Sequence, residues 1–231
     1  GRVCASARAG EGVNMHEVVA CFDAGTGKEM RSFPIVPGIR SIAFSQDGKY
    51  ALVGGTDTTA RLWDVQTGHE LQVLTGHTES PVNAVAFSPD GKYLATGAQE
   101  GTARLWDAQT GKELHRLAHD GIVNDVMFSP DGTYLVTASN DQTARVWDVQ
   151  TGKEIRRFSG HDAGLVAVAY SSDGKLVLTG SQDETARLWD AETGEELRSF
   201  VGHTDWVGGV EFSPDGKYTL TACADGTVRL W

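Results

Sequence analysis

Three observations predict an all-β chain folded as a β-propeller of four-stranded antiparallel blades. Tryptophan returns at Trp63, Trp106, Trp147, Trp189 and Trp231, at spacings of 43, 41, 42 and 42 residues. Each interval holds the same succession of short apolar runs and turn signals, including a Ser-x-Asp-Gly tetrapeptide at 45–48, 88–91, 129–132, 171–174 and 213–216. No segment keeps a helical apolar period. Four short strands in a unit of ~40–45 residues are the mark of a propeller blade.

The elements follow in order along each unit. The first strand has the form V-x-x-V-x-F-S, as in Val82 to Ser88 and Val123 to Ser129. The Ser-Pro-Asp-Gly turn comes next. Proline fixes φ, aspartate supplies a side-chain acceptor and glycine tolerates positive φ. The second strand is YLATGA at 93–98 and the third TARLWD at 102–107. A Gln109-Thr110-Gly111 turn leads to the fourth strand, KELHRL at 112–117. Its alternation of charged and apolar side chains is that of a half-solvated edge strand. The units run roughly over 1–33, 34–75, 76–118, 119–159, 160–201 and 202–231.

The composition is globular: 231 residues, 40% hydrophobic and 22% charged, with 28 Gly and 6 Pro. No stretch approaches the ~18 consecutive apolar residues of a spanning helix. A net charge of -11 argues against unaided binding to nucleic acid or an anionic membrane. The three cysteines, Cys4, Cys21 and Cys223, form neither a disulfide framework nor a CxxC knuckle. All three lie in apolar stretches and read as small hydrophobes. If the ring closes, Cys4 and Cys223 fall on related strands.

These residues carry a family resemblance. Gly76-His77 to Trp106-Asp107, Gly160-His161 to Trp189-Asp190 and Gly202-His203 to Trp231, with the SPDG turn and the TGKEL-like stretch, resemble WD40 repeats. About five and a half repeats are present, expected to be part of a six- or seven-bladed ring. The resemblance implies a hydrogen-bonded chain of His, Thr, Asp and Trp inside each blade. The matching sets are His119, Thr137, Asp141 and Trp147; His161, Thr179, Asp183 and Trp189; and His203, Thr221, Asp225 and Trp231. In the fourth set, His77, Thr96, Glu100 and Trp106, a glutamate replaces the aspartate, and its extra methylene leaves the geometry of that network open. The unit of Trp63 has Asp57 but carries Val53 in place of the threonine and Ile35 to Gly38 in place of Gly-His, so no such chain is expected there. In the N-terminal unit, Val3 to Ser6 and Val18 to Phe22 read as second and third strands, joined by a longer loop over Arg8 to Glu17.

Other motifs are decoys. Gly25-Thr26-Gly27-Lys28 resembles part of a phosphate loop, but Glu29 stands where Ser or Thr is required, and TGK recurs at 110–112 and 151–153 as a strand-to-strand turn. A Thr-His-Asp trio suggests catalysis, yet one active site does not recur blade after blade. An arginine stands two residues before each tryptophan (Arg61, Arg104, Arg145, Arg187 and Arg229) and is expected to pack its stem and leave its head in solvent. Counted in strands, six blades need roughly 20–25 more residues and seven roughly 60–70. The sequence is therefore expected to be a piece of a longer protein, forming an open or gapped ring alone.

The function expected is a non-catalytic protein–protein interaction scaffold, with no cofactor and no metal. A sensor module of a larger kinase or NTPase is the alternative, and an enzyme on a propeller scaffold the third. Propellers present loops on a rigid face. Just before the first strands stand Gly38, Pro81, Ile122, Gly164 and Trp206. The apolar Ile122 and Trp206 are the expected anchors, and Arg40, Asn83, Asn124 and Asp125 the expected lining of the channel mouth. The acidic balance favours a basic protein or peptide partner. A cytoplasmic location is expected.

Overall fold

A computed structural model describes residues 2–9, 16–23, 25–34, 38–78 and 80–231. Among them are strands and turns only, in six antiparallel sheets that we number as blades 1–6. Blade 1 holds β1 (Arg2–Ala9), β2 (His16–Asp23) and β3 (Glu29–Pro34). Blade 2 holds β4 (Ile39–Phe44), β5 (Tyr50–Gly55), β6 (Thr59–Asp64) and β7 (Glu70–Thr75). Blade 3 holds β8 (Val82–Phe87), β9 (Tyr93–Ala98), β10 (Thr102–Asp107) and β11 (Glu113–Ala118). Blade 4 holds β12 (Val123–Phe128), β13 (Tyr134–Ser139), β14 (Thr143–Asp148) and β15 (Glu154–Ser159). Blade 5 holds β16 (Leu165–Tyr170), β17 (Leu176–Ser181), β18 (Ala186–Asp190) and β19 (Glu196–Phe200), and blade 6 holds β20 (Val207–Phe212), β21 (Thr219–Cys223) and β22 (Val228–Leu230).

This is the β-propeller architecture. Successive first strands neighbour one another, β4 with β8, β8 with β12, β12 with β16 and β16 with β20. Their far ends surround a cavity of about 530 Å³, lined by Phe44, Phe87, Phe128, Tyr170 and Phe212 from five blades. In blade 1 the strands outrun the sequence expectation: β1 reaches Ala9 and β2 begins at His16. The rest of the expected Arg8–Glu17 loop, 10–15, lies outside the described residues. Cys4 stands opposite Cys21 in the β1–β2 register, and Cys223 is a free, half-buried thiol.

The turns form for the reasons their residues suggest. In Ser88 to Gly91, the Gly91 N–H donates to Ser88 O at 2.9 Å with Gly91 at φ +71°. The Ser88 hydroxyl donates to Asp90 Oδ1 at 2.7 Å and accepts the Tyr93 N–H at 2.9 Å. A type I turn followed by a left-handed glycine starts the next strand in register.

Two bulges recur, and neither has a sequence signature. One extra residue interrupts each first-strand register: Arg40, Asn83, Asn124, Val166 and Gly208. A second extra residue lies in the fourth strands at Leu71, Leu114, Ile155 and Leu197. A bulge re-aims side chains locally. These four apolar residues are exposed, while the preceding glutamates are brought opposite the tryptophans.

Blades join through apolar contact and short polar links. Ala84, Ala95, Leu105 and Leu117 of blade 3 share one core with Val123, Val126, Leu135 and Trp147 of blade 4. Phe158 and Phe200 lie 5.5 and 5.4 Å from the rings of Trp189 and Trp231 in the following blades. One fourth-strand position reaches across each time. Gln72 Nε2 donates to Gln109 O at 2.7 Å, His115 Nε2 to Gln150 O at 3.0 Å and Arg156 to Thr193 O at 3.4 Å. Second-strand glycines admit the next blade's first strand. A Cβ on Gly180 would lie 2.6 Å from Val207 O, a backbone atom that cannot step aside.

Gly180→Ala is therefore expected to destabilise the protein by about 1–3 kcal/mol, read as a fall in the urea midpoint. An unchanged midpoint would show that the two blades are not packed this closely.

Candidate functional site

The recurring polar residues meet inside blades 3–6. In blade 4, His119 Nδ1 lies 2.9 Å from Asp141 Oδ2 and Nε2 lies 2.6 Å from Thr137 Oγ1, which accepts the Trp147 indole N–H at 2.9 Å. Blade 5 gives 2.7, 2.8 and 2.9 Å for His161–Asp183, His161–Thr179 and Trp189–Thr179. Blade 6 gives 3.2, 2.7 and 2.9 Å for His203–Asp225, His203–Thr221 and Trp231–Thr221. The four threonines and four histidines of blades 3–6 are buried.

Elementary donor–acceptor accounting gives this chain a direction. An indole N–H can only donate and a carboxylate can only accept. Hence tryptophan donates to threonine, the hydroxyl donates to His Nε2, and His Nδ1–H donates to the carboxylate. The imidazole must be neutral for Nε2 to accept. Burial, only partly offset by Glu100 and Asp183, pushes His77 and His161 below the ordinary histidine value of 6.5. Burial alone would raise the Asp183 carboxyl, but hydrogen bonds from Thr185 and His161 outweigh it and hold it at about 2.

Glu100 takes the place of the aspartate in blade 3, which settles the geometry its extra methylene left open. His77 Nδ1 is 3.0 Å from Glu100 Oε1 and Nε2 is 2.6 Å from Thr96 Oγ1, which accepts the Trp106 N–H at 3.0 Å. The longer side chain also accepts the Thr78 N–H at 3.1 Å and the Thr102 hydroxyl at 2.5 Å. In blade 2, Val53 is buried where the threonine would be. Asp57 there accepts the Thr59 hydroxyl at 2.9 Å.

The expectation that the repeated arginines keep solvated heads is overturned for Arg104 and Arg145. Arg104 and Arg145 are only 6% exposed. Arg145 Nη2 donates to Asp141 Oδ2 at 2.8 Å and Arg104 Nη2 to Glu100 Oε1 at 3.0 Å. Each also pairs with the fourth-strand glutamate that the bulge aims inward, Glu154 or Glu113. Arg61 joins Asp57 and Glu70, and Arg187 joins Glu196. A buried guanidinium needs such partners. The sequence signal was present: Arg61, Arg104, Arg145 and Arg187 each precede a glutamate by nine residues.

The expected channel-mouth residues are mostly engaged between blades. Arg40, Asn83 and Asn124 are the first-strand bulge residues. Arg40 Nη1 donates to Asn83 Oδ1 at 3.2 Å, Asn83 Nδ2 to Val123 O at 3.1 Å and Asn124 Nδ2 to Leu165 O at 2.7 Å. Asp125 Oδ2 accepts the Val168 N–H of blade 5 at 3.0 Å, as Ser41 Oγ accepts the Val85 N–H of blade 3 at 3.1 Å. Burial pushes the Asp125 carboxyl up to about 6, and the negative charge of Glu211 adds to it.

Trp206 and Ile122 differ from that group. Their carbonyls accept backbone N–H groups from Ala224 at 3.0 Å and Asn140 at 2.8 Å. Equivalent bonds fix Gly38, Pro81 and Gly164. Ile122 is half-buried. The Trp206 side chain is 45% exposed. Its backbone is held while its indole faces outward.

Two predictions follow from these networks. Thr179→Val leaves His161 Nε2 and the Trp189 indole without their hydroxyl, at a cost of about 1–3 kcal/mol; urea unfolding measures it, and a neutral result would contradict the chain. Asp125 binds its proton more tightly folded than unfolded, so between pH 3.8 and about 6 it lowers stability as pH rises. The stability of Asp125→Asn relative to the unsubstituted protein should therefore improve from pH 4 to pH 7.5, by on the order of 1 kcal/mol. Parallel pH–stability curves would refute the raised carboxyl.

The family comparison agrees with this geometry. A family model described as "WD domain, G-beta repeat" matches residues 30–64, 68–107, 111–148, 152–190 and 194–231. The matched units are offset from the blades: the second begins at the fourth strand of blade 2 and ends at the third strand of blade 3, so each sequence repeat spans two adjacent blades. Proteins built of these repeats are generally non-catalytic interaction scaffolds. The five matches cover most of the chain, which belongs to the WD40-repeat family.

Proposed function

We propose that the protein is a non-catalytic binding platform and that a protein or peptide partner docks on the loops leading into the first strands, with Trp206 as the anchor. The observation that carries this reading is the contrast at Trp206. Its backbone is fixed by a hydrogen bond on each side, from its own N–H to Asp205 Oδ1 at 2.8 Å and from Ala224 N–H to its carbonyl. Its indole remains 45% exposed. A large aromatic left exposed on a rigid frame is the usual make-up of an interface hot spot.

Charge supports a basic partner. Asp205 adjoins Trp206, and Asp120 and Asp162 are exposed at the matching turns of blades 4 and 5. The net charge of -11 has the same sign. The His-Thr-Asp sets support the scaffold reading over the enzymatic one: their histidines and threonines are buried and committed to one another. No helix among the described residues is long and apolar enough to cross a membrane.

The test is Trp206→Ala in a quantitative affinity capture followed by mass spectrometry, with thermal unfolding run in parallel. Partners held by the unsubstituted protein are expected to weaken by about 2 kcal/mol or more, while stability changes by less than about 0.5 kcal/mol. Equal loss of binding and of stability would assign Trp206 to packing; unchanged binding would move the docking surface elsewhere.

A further inference from the structure

Blade 6 differs from its sisters at one point in the polar chain. The second-strand residue just before the Asp-containing turn is Ser139 in blade 4 and Ser181 in blade 5, but Cys223 in blade 6. The serines are buried and donate to backbone carbonyls, Ser139 to Gly121 O at 3.0 Å and Ser181 to Gly164 O at 3.1 Å. Cys223 is half-buried. Its Sγ lies 3.1 Å from Asp205 O and accepts the Asp225 N–H at 3.3 Å. The ligand atoms of His203, Cys223 and Asp225 all fall within 4.8 Å of one another.

A second difference, from blades 2, 3 and 4 but not from blade 5, where Arg187 pairs with Glu196 alone, concerns the arginine. In blades 2, 3 and 4 a guanidinium sits on the carboxylate, Arg61 on Asp57 at 2.9 Å, Arg104 on Glu100 at 3.0 Å and Arg145 on Asp141 at 2.8 Å. In blade 6 the corresponding Arg229 lies over the Trp231 ring, 6.0 Å from its centroid. Among the described residues no ion pair links Arg229 to Asp225. The Asp225 carboxylate thus stands beside a thiol and, like Asp183 of blade 5, is paired with no guanidinium among the described residues.

The geometry points to a divalent, thiophilic metal site of the zinc class, formed by His203 Nδ1, Cys223 Sγ and an Asp225 carboxylate oxygen, with solvent as the fourth ligand. One nitrogen, one sulfur and one oxygen suit a tetrahedral borderline-soft cation. Only a small contraction is needed, since His203 Nδ1 already lies 3.2 Å from Asp225 Oδ2. Binding releases the Cys223 thiol proton to solvent. The histidine proton moves from Nδ1 to Nε2, where Thr221 Oγ1 accepts it at a separation of 2.7 Å. The Thr221 hydroxyl then turns to the Arg229 carbonyl across the β21–β22 register, an acceptor within reach, since the matching Thr137 and Thr179 oxygens lie 3.3 and 3.4 Å from Arg145 O and Arg187 O.

The experiment titrates the reduced, chelator-treated full chain with Co²⁺, reading the thiolate-to-cobalt charge-transfer band in the near ultraviolet, and then displaces the cobalt with Zn²⁺. One equivalent is expected to produce the band. Cys223→Ser restores the residue of the sister blades, so it is expected to keep the fold and abolish the band. Ser139→Cys places the same thiol in blade 4, where Arg145 already holds the carboxylate, and is expected to add no second equivalent. In the nitrogen-15 spectrum, Zn²⁺ should shift His203 to the Nε2–H form and leave His119 unchanged. A missing band, or one that persists in Cys223→Ser through Cys4 or Cys21, would overturn the site. A second equivalent in Ser139→Cys would overturn the role given to the arginine.

Discussion

The structure depends on a hydrogen-bonded chain whose direction is set by chemistry. Tryptophan supplies a proton and cannot take one; a carboxylate takes one and cannot supply one. Between these fixed ends, threonine and neutral histidine have one arrangement that satisfies every buried donor and acceptor. A blade of four six-residue strands buries little apolar surface, and strands of such similar sequence could pair in several registers. A fully satisfied polar network selects one of them, because every alternative strands buried groups without partners. The His side links the turn before the first strand, the Thr side lies in the second strand and the Trp in the third. One chain of four residues therefore ties together the inner three-quarters of the blade.

Arginine extends the same lock to the outer strand. The fourth-strand bulge leaves Leu114 and Ile155 exposed but turns Glu113 and Glu154 toward Arg104 and Arg145. The exposed apolar residue and the buried ion pair thus have a common cause. Because the carboxylate that receives the histidine also receives the guanidinium in blades 3 and 4, the outer strand and the innermost turn meet at a single side chain. From blade to blade the links are shorter and more varied. Asn83, Asn124, Ser41 and Asp125 bridge first strands, and Gln72, His115 and Arg156 bridge the periphery. The face that carries Trp206 rests on this frame, which explains how an aromatic can be exposed without its loop being loose.

Much of the fold was legible because the repeat supplies five copies of one message. The second and third strands, the Ser-x-Asp-Gly turns and the His-Thr-Asp-Trp sets all sit where their residue types require. The bulges were not legible, since an extra residue in a strand changes neither composition nor alternation enough to be seen. Without the bulge, nothing in the sequence shows that Asn83 and Asn124 reach the neighbouring blade. The arginines were misread for another reason. A long side chain two residues before a buried tryptophan looks like a stem with a wet head, and only its constant spacing from Asp or Glu on one side and Glu on the other reveals an ion pair. The sequence placed Glu100 in the network but could not say how its added methylene would be accommodated. The surrounding donors, Thr78, Thr102 and Arg104, take up that length.

The most direct test of the directional chain is nitrogen-15 NMR of the side chains of His77, His119, His161 and His203 in the metal-free protein at neutral pH. The account predicts neutral rings at all four, protonated at Nδ1 and accepting at Nε2. Imidazolium signals, or the opposite tautomer with Nε2 protonated, would contradict it.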